Sequence, residues 1–252
     1  MTPSPEFADF EAPPEPAPMS EIGRLAGVIF SPGKAFADIA KRPRWIVPVL
    51  LGMIVTTTFL YLFSQRVGWE LFFRQQNAQS TQLQSLTAEQ RAQTERVQMV
   101  LGKYITWGSG LTGPLIAALL IAGVIQFLAA TVMGAGIAFK NTLAVVTYGT
   151  LPNLFKSGLA ILVMYLKPPD EFDLQNPLMV NAAAFLPPDA SAWMKSLGGS
   201  FDLFTFWCMI LISIGLAASA KRLSAGKAFG VLLFPWALFV IISVGFTAAF
   251  RR

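Results

Sequence analysis

The sequence predicts an all-α fold, that of a polytopic integral membrane protein with a bundle of five transmembrane helices and a juxtamembrane amphipathic helix. Of the 252 residues, 54% are hydrophobic and only 13% are charged, about half of the charged share that is usual in globular domains. A helix can cross the bilayer core with about 18 or more consecutive apolar residues. Five almost charge-free segments are long enough, at about 45–65, 111–138, 142–166, 201–220 and 228–250.

Residues 1–19 predict a disordered, acidic and proline-rich tail. They contain four carboxylates and no Lys or Arg, whereas a cleavable signal peptide begins with basic residues that precede an apolar core. We therefore expect the span at 45–65 to act as an uncleaved insertion signal. Residues 45–250 are expected to form the membrane domain.

Residues 20–44 predict an interfacial amphipathic segment. Ser20 can cap a first short helix, and Ser31-Pro32-Gly33 would end it before a second one. Basic residues beside apolar positions, close to a span, are typical of a helix that lies in the membrane interface. The expected interfacial anchors are Lys34, Lys41, Arg42, Arg44 and Trp45. The alternative is a solvated linker whose basic residues only set the topology.

The middle of the chain predicts a surface helix and then a helical hairpin. Thr87-Ala88-Glu89-Gln90 has the form of a capping box, so a surface helix is expected to begin near Ala88 and to continue to about Leu101. Only three or four residues separate the second and third predicted spans. These two spans should therefore pack as antiparallel neighbours.

The distribution of basic residues predicts the orientation. With a cytoplasmic N-terminus, the Lys and Arg residues outside the predicted spans divide nine to nine between the two sides. Basic residues count most in short segments close to the span ends. Five of them precede the first span, and three lie in the short turn between the fourth and fifth spans. We therefore expect a cytoplasmic N-terminus and a C-terminus on the far side.

The absence of histidine and the single Cys208 exclude several classes of membrane enzyme. Ser–His proteases, zinc metalloproteases and His-dependent prenyl-protein proteases need a histidine, and paired-cysteine zinc sites need a second cysteine. The sequence therefore predicts that the protein is not an enzyme, and it predicts no catalytic residue, metal ligand or cofactor.

The net charge of +5 is modest and indicates membrane topology and headgroup contact. No basic cluster is interleaved with aromatic residues in a polar segment, so no nucleic-acid partner is expected. The expected partner is the lipid bilayer, and a second copy of the chain or other membrane proteins are further candidates.

Three polar residues inside the predicted spans form a candidate intramembrane site: Gln126, Asn153 and Lys156. No Asp or Glu is expected inside a span, which argues against a proton-coupled carrier. If the chain turns at Lys140, Gln126 lies about as many residues before the turn as Asn153 and Lys156 lie after it. The three side chains are therefore expected at a similar depth in the membrane. In one hypothesis, the three residues line a polar cavity for an anion or a lipid headgroup. In the other, Gln126 and Asn153 bond each other while the lysine snorkels or caps carbonyls freed by Pro152.

Three groups of short motifs stand in order along the predicted spans. They are Phe-Ser-Pro-Gly-Lys-Ala-Phe at 30–36 with Pro-Arg-Trp at 43–45, Val-Thr-Tyr-Gly-Thr-Leu-Pro at 146–152 after 136–140, and Phe-Asp-Leu-Phe-Thr-Phe-Trp at 201–207 with 214–216 and 225–228. Together they resemble the bacterial branch of the Yip-domain family, the Ypt/Rab-interacting membrane proteins, over about residues 20–250. The family-like residues of the central hairpin are Tyr148, Gly149 and Pro152.

The resemblance implies five spans, a cytoplasmic N-terminus and a short C-terminal end on the far side, here in the bacterial inner membrane. Eukaryotic members are similar to adaptors that engage small GTPases and organise vesicle traffic. Their acidic Leu-Tyr-Gly-Pro signature is missing before the first span, which argues against small-GTPase binding. We therefore expect a non-enzymatic membrane scaffold, adaptor or organiser. The alternative is a small channel or carrier for an anion or lipid that uses the three polar residues of the second and third spans.

Overall fold

A computed structural model describes residues 17–78, 83, 85–174, 176–187 and 189–250. Most of the predicted acidic tail, residues 1–16, lies outside the described residues. The described chain is helical, as predicted. The α-helices are α1 Glu21–Phe30, α2 Pro32–Lys41, α3 Ile46–Arg66, α4 Trp69–Ala78, α5 Ala88–Val97, α6 Lys103–Thr131, α7 Phe139–Gly149, α8 Pro152–Leu166, α9 Ala192–Ser200, α10 Leu203–Ser219 and α11 Ala225–Phe250.

The long helices run back and forth between two ends of a bundle. α3 and α6 are antiparallel, because Gly110 packs against Leu60 while Gly52 faces Pro114. α7 and α8 run in the direction of α3, and α10 runs against them. The near end is the end that carries α1 and α2. The far end carries α4, α5 and residues 167–174, 176–187 and 189–200.

Four helical stretches are long and apolar enough to cross a membrane: Ile46–Arg66, Ala88–Thr131, Phe139–Leu166 and Ala225–Ala249. The predicted span at 201–220 corresponds to α10, which has only 17 residues. At about 1.5 Å per residue, α10 is about 26 Å long, shorter than a bilayer core of about 30 Å. Length and composition therefore support four of the five predicted spans.

The second predicted span, 111–138, differs from the structure at both ends. α6 begins at Lys103 and ends at Thr131. Gly134, with φ +60°, follows in the left-handed region that glycine tolerates best. The chain stays apolar through residue 138, so hydrophobicity did not reveal where the helix ends. Residues 132–138 form a connection that is longer than the predicted turn.

α5 and α6 belong to one continuous helix of 44 residues, Ala88–Thr131, joined by a π-helical turn at Gln98–Gly102. The predicted capping box is confirmed at the start of this long helix. The Thr87 side chain accepts the Gln90 N–H, and the Gln90 side chain accepts the Thr87 N–H. At about 1.5 Å per residue, the helix is about 66 Å long, twice the thickness of the bilayer core. Its first part therefore projects beyond the apolar helices at the far end.

The third predicted span, 142–166, is interrupted in the middle. α7 ends at Gly149 and α8 begins at Pro152. Proline has no N–H to continue the hydrogen-bond ladder and its ring clashes with the preceding turn, so the helix breaks before it. Thr150 caps the end of α7, since its hydroxyl donates to the Val146 carbonyl at 3.0 Å, and its own carbonyl accepts the Asn153 N–H of α8 at 3.0 Å.

α10 lies at the centre of the fold, with buried residues spread from Phe204 to Leu216. It contacts α2, α7, α8 and α11. Two glycines permit its closest approaches. A Cβ atom at Gly149 would lie 2.5 Å from Cγ1 of Ile212, and one at Gly215 would lie 2.6 Å from Cγ1 of Val145. A larger residue at either position would force the helices apart.

We expect Gly149→Ala to lower the thermal stability of the solubilised protein. The added methyl group would meet Ile212, including its backbone nitrogen at 3.2 Å, and overpacking of this kind costs about 1–3 kcal/mol. Gly158→Ala is the matched control, because nothing lies within 4 Å of a Cβ atom at that position. Thermal unfolding followed by size-exclusion chromatography should show a lower Tm for Gly149→Ala only. Equal Tm values would contradict the close packing of α7 on α10.

Candidate functional site

The two predicted short helices are present at the near end. The Gly23 N–H donates to Ser20 Oγ at 3.1 Å, so the predicted N-cap is confirmed. The predicted break is also confirmed, because α1 ends at Phe30 and Pro32 opens α2. Proline suits the first position of a helix, where its missing N–H would have no partner.

The helical hairpin of α1 and α2 packs its apolar face onto the bundle. Phe36 and Ile39 are fully buried, and α2 contacts both α7 and α10. The Asn141 amide on α7 donates to the Ala40 carbonyl on α2 at 2.7 Å. The segment 20–44 therefore uses one face for packing within the protein, and its contact with the membrane interface stays a prediction.

A buried arginine holds the hairpin together. The Arg24 side chain is 1% exposed, and its Nε and Nη2 atoms both lie 2.7 Å from Oδ2 of Asp38. Its Nη1 atom lies 3.4 Å from Oε1 of Glu21. Burial alone would lower the pKa of the Arg24 guanidinium, but Asp38 and Glu21 outweigh burial and raise this pKa above its ordinary value. The guanidinium is therefore charged at physiological pH.

Tyr148 joins this network to the membrane domain. It is fully buried in α7, and its hydroxyl donates to Oε2 of Glu21 at 2.5 Å. Arg44, which stands just before α3, approaches Oε1 of Glu21 at 3.2 Å. One carboxylate thus links the start of α1 to α7 and to the start of α3.

The other family-like residues lie close to Tyr148 along the chain. Gly149 ends α7 against Ile212 of α10. Pro152 is buried and opens α8. The three family-like residues are therefore grouped at the interruption between α7 and α8. The motif could be recognised in the sequence, but the contact of Tyr148 with Glu21, 127 residues earlier, could not.

The predicted interfacial anchors fall into two groups. Arg42 and Arg44 each pair with a carboxylate of the hairpin, at 3.8 and 3.2 Å. Lys34 and Lys41 are exposed on α2, and Trp45 immediately precedes α3. Contact of these side chains with lipid headgroups stays a prediction.

α1 also carries an outward apolar stripe, which consists of Ile22, Ala26 and Phe30. These positions are four residues apart and so share one helix face. Ile22 is 79% exposed and Phe30 is 83% exposed. Because Arg44 ties the start of α1 to the start of α3, the stripe lies beside the entrance of the first span.

Gln126 has other partners than Asn153 or Lys156. Its Nε2 atom donates to the Ile137 carbonyl at 2.8 Å, and its Oε1 atom accepts from the Thr142 hydroxyl at 2.5 Å. Asn153 is exposed in the first turn of α8. The prediction that these three residues meet assumed that two continuous helices run to and from a turn at Lys140. α6 instead ends at Thr131, so equal numbers of residues from Lys140 do not correspond to equal depths. Gln126 therefore stabilises the connection between α6 and α7.

Lys156 pairs with a carboxylate that lies outside the predicted intramembrane site. Its Nζ atom lies 2.9 Å from Oδ2 of Asp202, whose side chain is 6% exposed. Oδ1 of Asp202 accepts the Thr205 N–H at 3.1 Å and so caps α10. An Asp directly before an apolar run is a helix N-cap signal. That signal could have marked Asp202 as a carboxylate held at the start of the fourth apolar helix.

The Lys156–Asp202 pair lies where two interrupted helices pass each other. Lys156 stands in the first turns of α8, just after the break that follows α7. Asp202 stands in the break between α9 and α10. Interrupted helices surround the binding sites of many membrane transporters, because their unpaired backbone ends can bind ligands.

An open cavity of about 2270 Å³ adjoins this pair on its far-end side. α8 continues from Lys156 to Leu166, about 15 Å at 1.5 Å per residue, whereas α10 begins only after Asp202. The space beyond the start of α10 is bordered by α9, by the end of α11, by Asp173 and by residues between 176 and 187. Lys156 and Asp202 lie at the inner end of this cavity.

The part of the chain that the structure describes contains no evident metal site. No three His, Cys, Asp or Glu side chains come together there, and Cys208 is buried in α10. The expected absence of a cofactor stays a prediction.

The apolar helices define a multi-pass membrane protein in contact with the lipid bilayer. The chain belongs to the Yip1 domain family, whose model matches residues 26–246. It is similar to "Membrane protein YknW" of Bacillus subtilis (strain 168), with 28% identity over 226 residues that cover 85% of this chain and 88% of that protein. No solved structure matches it. The family resemblance of the sequence motifs is therefore confirmed.

Arg24→Met should loosen the hairpin of α1 and α2. Removing one partner of a buried ion pair costs about 3–5 kcal/mol, because the other charge is left without its counter-charge. Arg42→Met is the matched control, since the Arg42 side chain is 37% exposed and lies 3.8 Å from Asp38. Hydrogen exchange of the amides in 21–41 should accelerate about tenfold or more in Arg24→Met only. Unchanged exchange in that variant would show that the arginine does not hold the hairpin.

Proposed function

We propose that this protein is a non-enzymatic organiser of the bacterial inner membrane, which scaffolds or tethers membrane components through its N-terminal hairpin. The observation that carries the proposal is the firm attachment of α1 and α2 to the near end, with an apolar stripe turned outwards. The hairpin is the surface that contacts lipids or proteins, and the bundle holds it at a fixed height relative to the bilayer.

Firm attachment of the hairpin to the bundle is what a scaffold needs. Arg24, Asp38 and Glu21 bind α1 to α2, and Tyr148 binds the same network to α7. Hydrogen bonds that involve a charged group are stronger than neutral ones, and burial strengthens them further. A surface held in this way can impose its position on the lipids or proteins that contact it.

The apolar stripe supports contact with one lipid leaflet. Exposed apolar side chains on a helix beside a span suit insertion at the boundary between headgroups and acyl chains. Lys34 is exposed on α2, and the Arg44 side chain is 69% exposed beside α1. Basic residues next to a span are attracted to anionic lipids. The stripe and these charges therefore favour the same partner, the cytoplasmic leaflet.

The proposal includes five membrane crossings, a cytoplasmic N-terminus and a C-terminus on the far side. α9 and α10 in tandem, residues 192–219, would supply the crossing for which α10 alone is short. Cysteines at the exposed positions 37 and 93 test the orientation, and the native Cys208 is buried. An impermeant maleimide should label position 93 in intact spheroplasts, and position 37 only after permeabilisation. The reverse pattern would contradict the orientation.

A channel or carrier for an anion or lipid is the second candidate. The observation that favours it is the cavity at the interrupted helices, beside Lys156. Gln126 lies outside that group, so a transport path would depend on Lys156 and Asp202 instead of the three residues first expected. The organiser is the better supported candidate, because the hairpin has both a built attachment and an outward surface.

Vesicle shape tests the organiser. Purified protein should produce smaller or tubulated vesicles from lipid mixtures that contain anionic lipid, as measured by electron cryomicroscopy. Ile22→Glu/Phe30→Glu should abolish this effect, because two carboxylates cannot enter the apolar boundary. Phe185→Glu is the matched control, since it changes a 91% exposed phenylalanine at the far end. Vesicles reshaped equally by the double variant would contradict the proposal.

The same vesicles separate the two candidate functions. The organiser predicts no specific flux of anions and no specific transfer of lipid between leaflets. Specific flux that Lys156→Met abolishes and Ile22→Glu/Phe30→Glu leaves intact would favour the carrier. A stable membrane partner recovered by crosslinking from position 30 would favour the organiser.

A further inference from the structure

The cavity beside Lys156 and Asp202 is polar but electrically balanced. Its charged lining residues, among those that the structure describes, are Lys156, Lys195, Asp173 and Asp202. At its inner end, an ammonium and a carboxylate lie 2.9 Å apart. A purely anionic ligand at Lys156 would be repelled by the neighbouring Asp202 carboxylate. A purely cationic ligand at Asp202 would be repelled by the Lys156 ammonium. The charges therefore suit a ligand that carries both signs.

Both charged groups keep hydrogen-bonding capacity for such a ligand. An ammonium has three N–H donors, and a carboxylate has about four acceptor positions. Lys156 directs a donor to Oδ2 of Asp202, and its side chain remains 34% exposed. Asp202 uses Oδ1 for the N–H and the hydroxyl of Thr205, and Oδ2 keeps an acceptor position beside Lys156. A dipolar ligand can therefore be bound without separation of the ion pair.

The cavity also has an apolar wall and hydroxyl groups. Phe246 and Ala248 of α11 line it, together with Leu178 and Leu186 of the opposite segment. The hydroxyls of Ser196 and Ser243 lie 3.4 Å apart in the same lining. Such a lining suits a molecule with a polar head and an apolar remainder.

The segment over the cavity is fixed to Asp202 and its neighbours. The Ala182 N–H donates to the Phe201 carbonyl at 3.2 Å, and the Leu203 N–H donates to the Val180 carbonyl at 3.3 Å. Gly198 allows α9 to pack directly on the backbone of Ala183. The site is therefore formed before a ligand arrives, which lowers the entropy cost of binding.

We propose that this cavity binds the headgroup of a zwitterionic phospholipid with a primary ammonium group. The phosphate lies next to Lys156, the ligand ammonium lies next to Asp202, and an acyl chain follows the apolar wall towards the bilayer. The surrounding membrane supplies such a ligand from the leaflet at the far end. This site is independent of the proposed organiser function, because the hairpin lies at the other end of the bundle.

Native mass spectrometry of the full-length protein in detergent tests this site. The protein is titrated separately with phosphatidylethanolamine, phosphatidylglycerol and soluble O-phosphoethanolamine. Lys156→Met/Asp202→Asn removes both charges together, so that no buried charge loses its partner, and asparagine can still cap α10. Lys103→Met is the matched control, because it removes an exposed cation at the start of α6 that does not line the cavity.

The wild type should bind phosphatidylethanolamine more tightly than phosphatidylglycerol. The double variant should weaken phosphatidylethanolamine binding about tenfold or more, through the loss of charge-assisted contacts, whereas Lys103→Met should match the wild type. If the double variant does not fold, Asp202→Asn alone should abolish the preference for phosphatidylethanolamine. Equal binding of the two lipids by the wild type, or unchanged binding by a folded variant, would overturn the proposal. Binding of O-phosphoethanolamine without the lipid would also overturn it, in favour of a soluble ligand.

Discussion

The burial of α7 on all sides is the constraint on which both ends of the molecule depend. Every residue from Thr142 to Gly149 is buried, and α1, α2, α3, α6 and α10 all contact this helix. Because other helices surround α7, lipid cannot cover its apolar surface. The neighbouring helices must therefore pack closely against it. The hairpin of α1 and α2 completes that cover at the near end. The break after Gly149 then lets the chain leave the crowded centre in a new direction as α8.

The small number of charges in the chain makes each buried charge informative. Leaving a charge unpaired in a low-dielectric interior costs several kcal/mol, and both buried clusters avoid that cost in different ways. Arg24 is enclosed by carboxylates from its own hairpin, so this cluster joins helices. Lys156 has one carboxylate partner and an open side towards the cavity. The first cluster therefore stabilises the structure, and the second keeps polar capacity that a ligand can use.

Features that depend on composition and local sequence could be predicted well. Features that depend on tertiary contacts could not. Hydrophobic runs indicated the membrane helices, and local side-chain chemistry indicated the cap at Ser20 and the capping box at Thr87. The end of α6 was missed because glycine geometry, not polarity, ends that helix. The partners of Gln126 and Lys156 were missed because helix ends and tertiary packing decide which polar groups meet. The position of Asp202 at a helix start could have been predicted from the local sequence, since it stands directly before an apolar run.

The continuous helix from Ala88 to Thr131 has a mechanical consequence. Its length of about 66 Å exceeds the bilayer core by about 36 Å, and α5 is polar and largely exposed, so that part stands clear of the hydrocarbon. Its π-helical turn at Gln98–Gly102 and its internal Pro114 are the kinds of position at which helices bend. Beyond Pro114, the hydrogen bonds of Gln126 to Ile137 and Thr142 tie the helix to the start of α7. The exposed outer arm can therefore change direction while the inner arm keeps its place in the bundle.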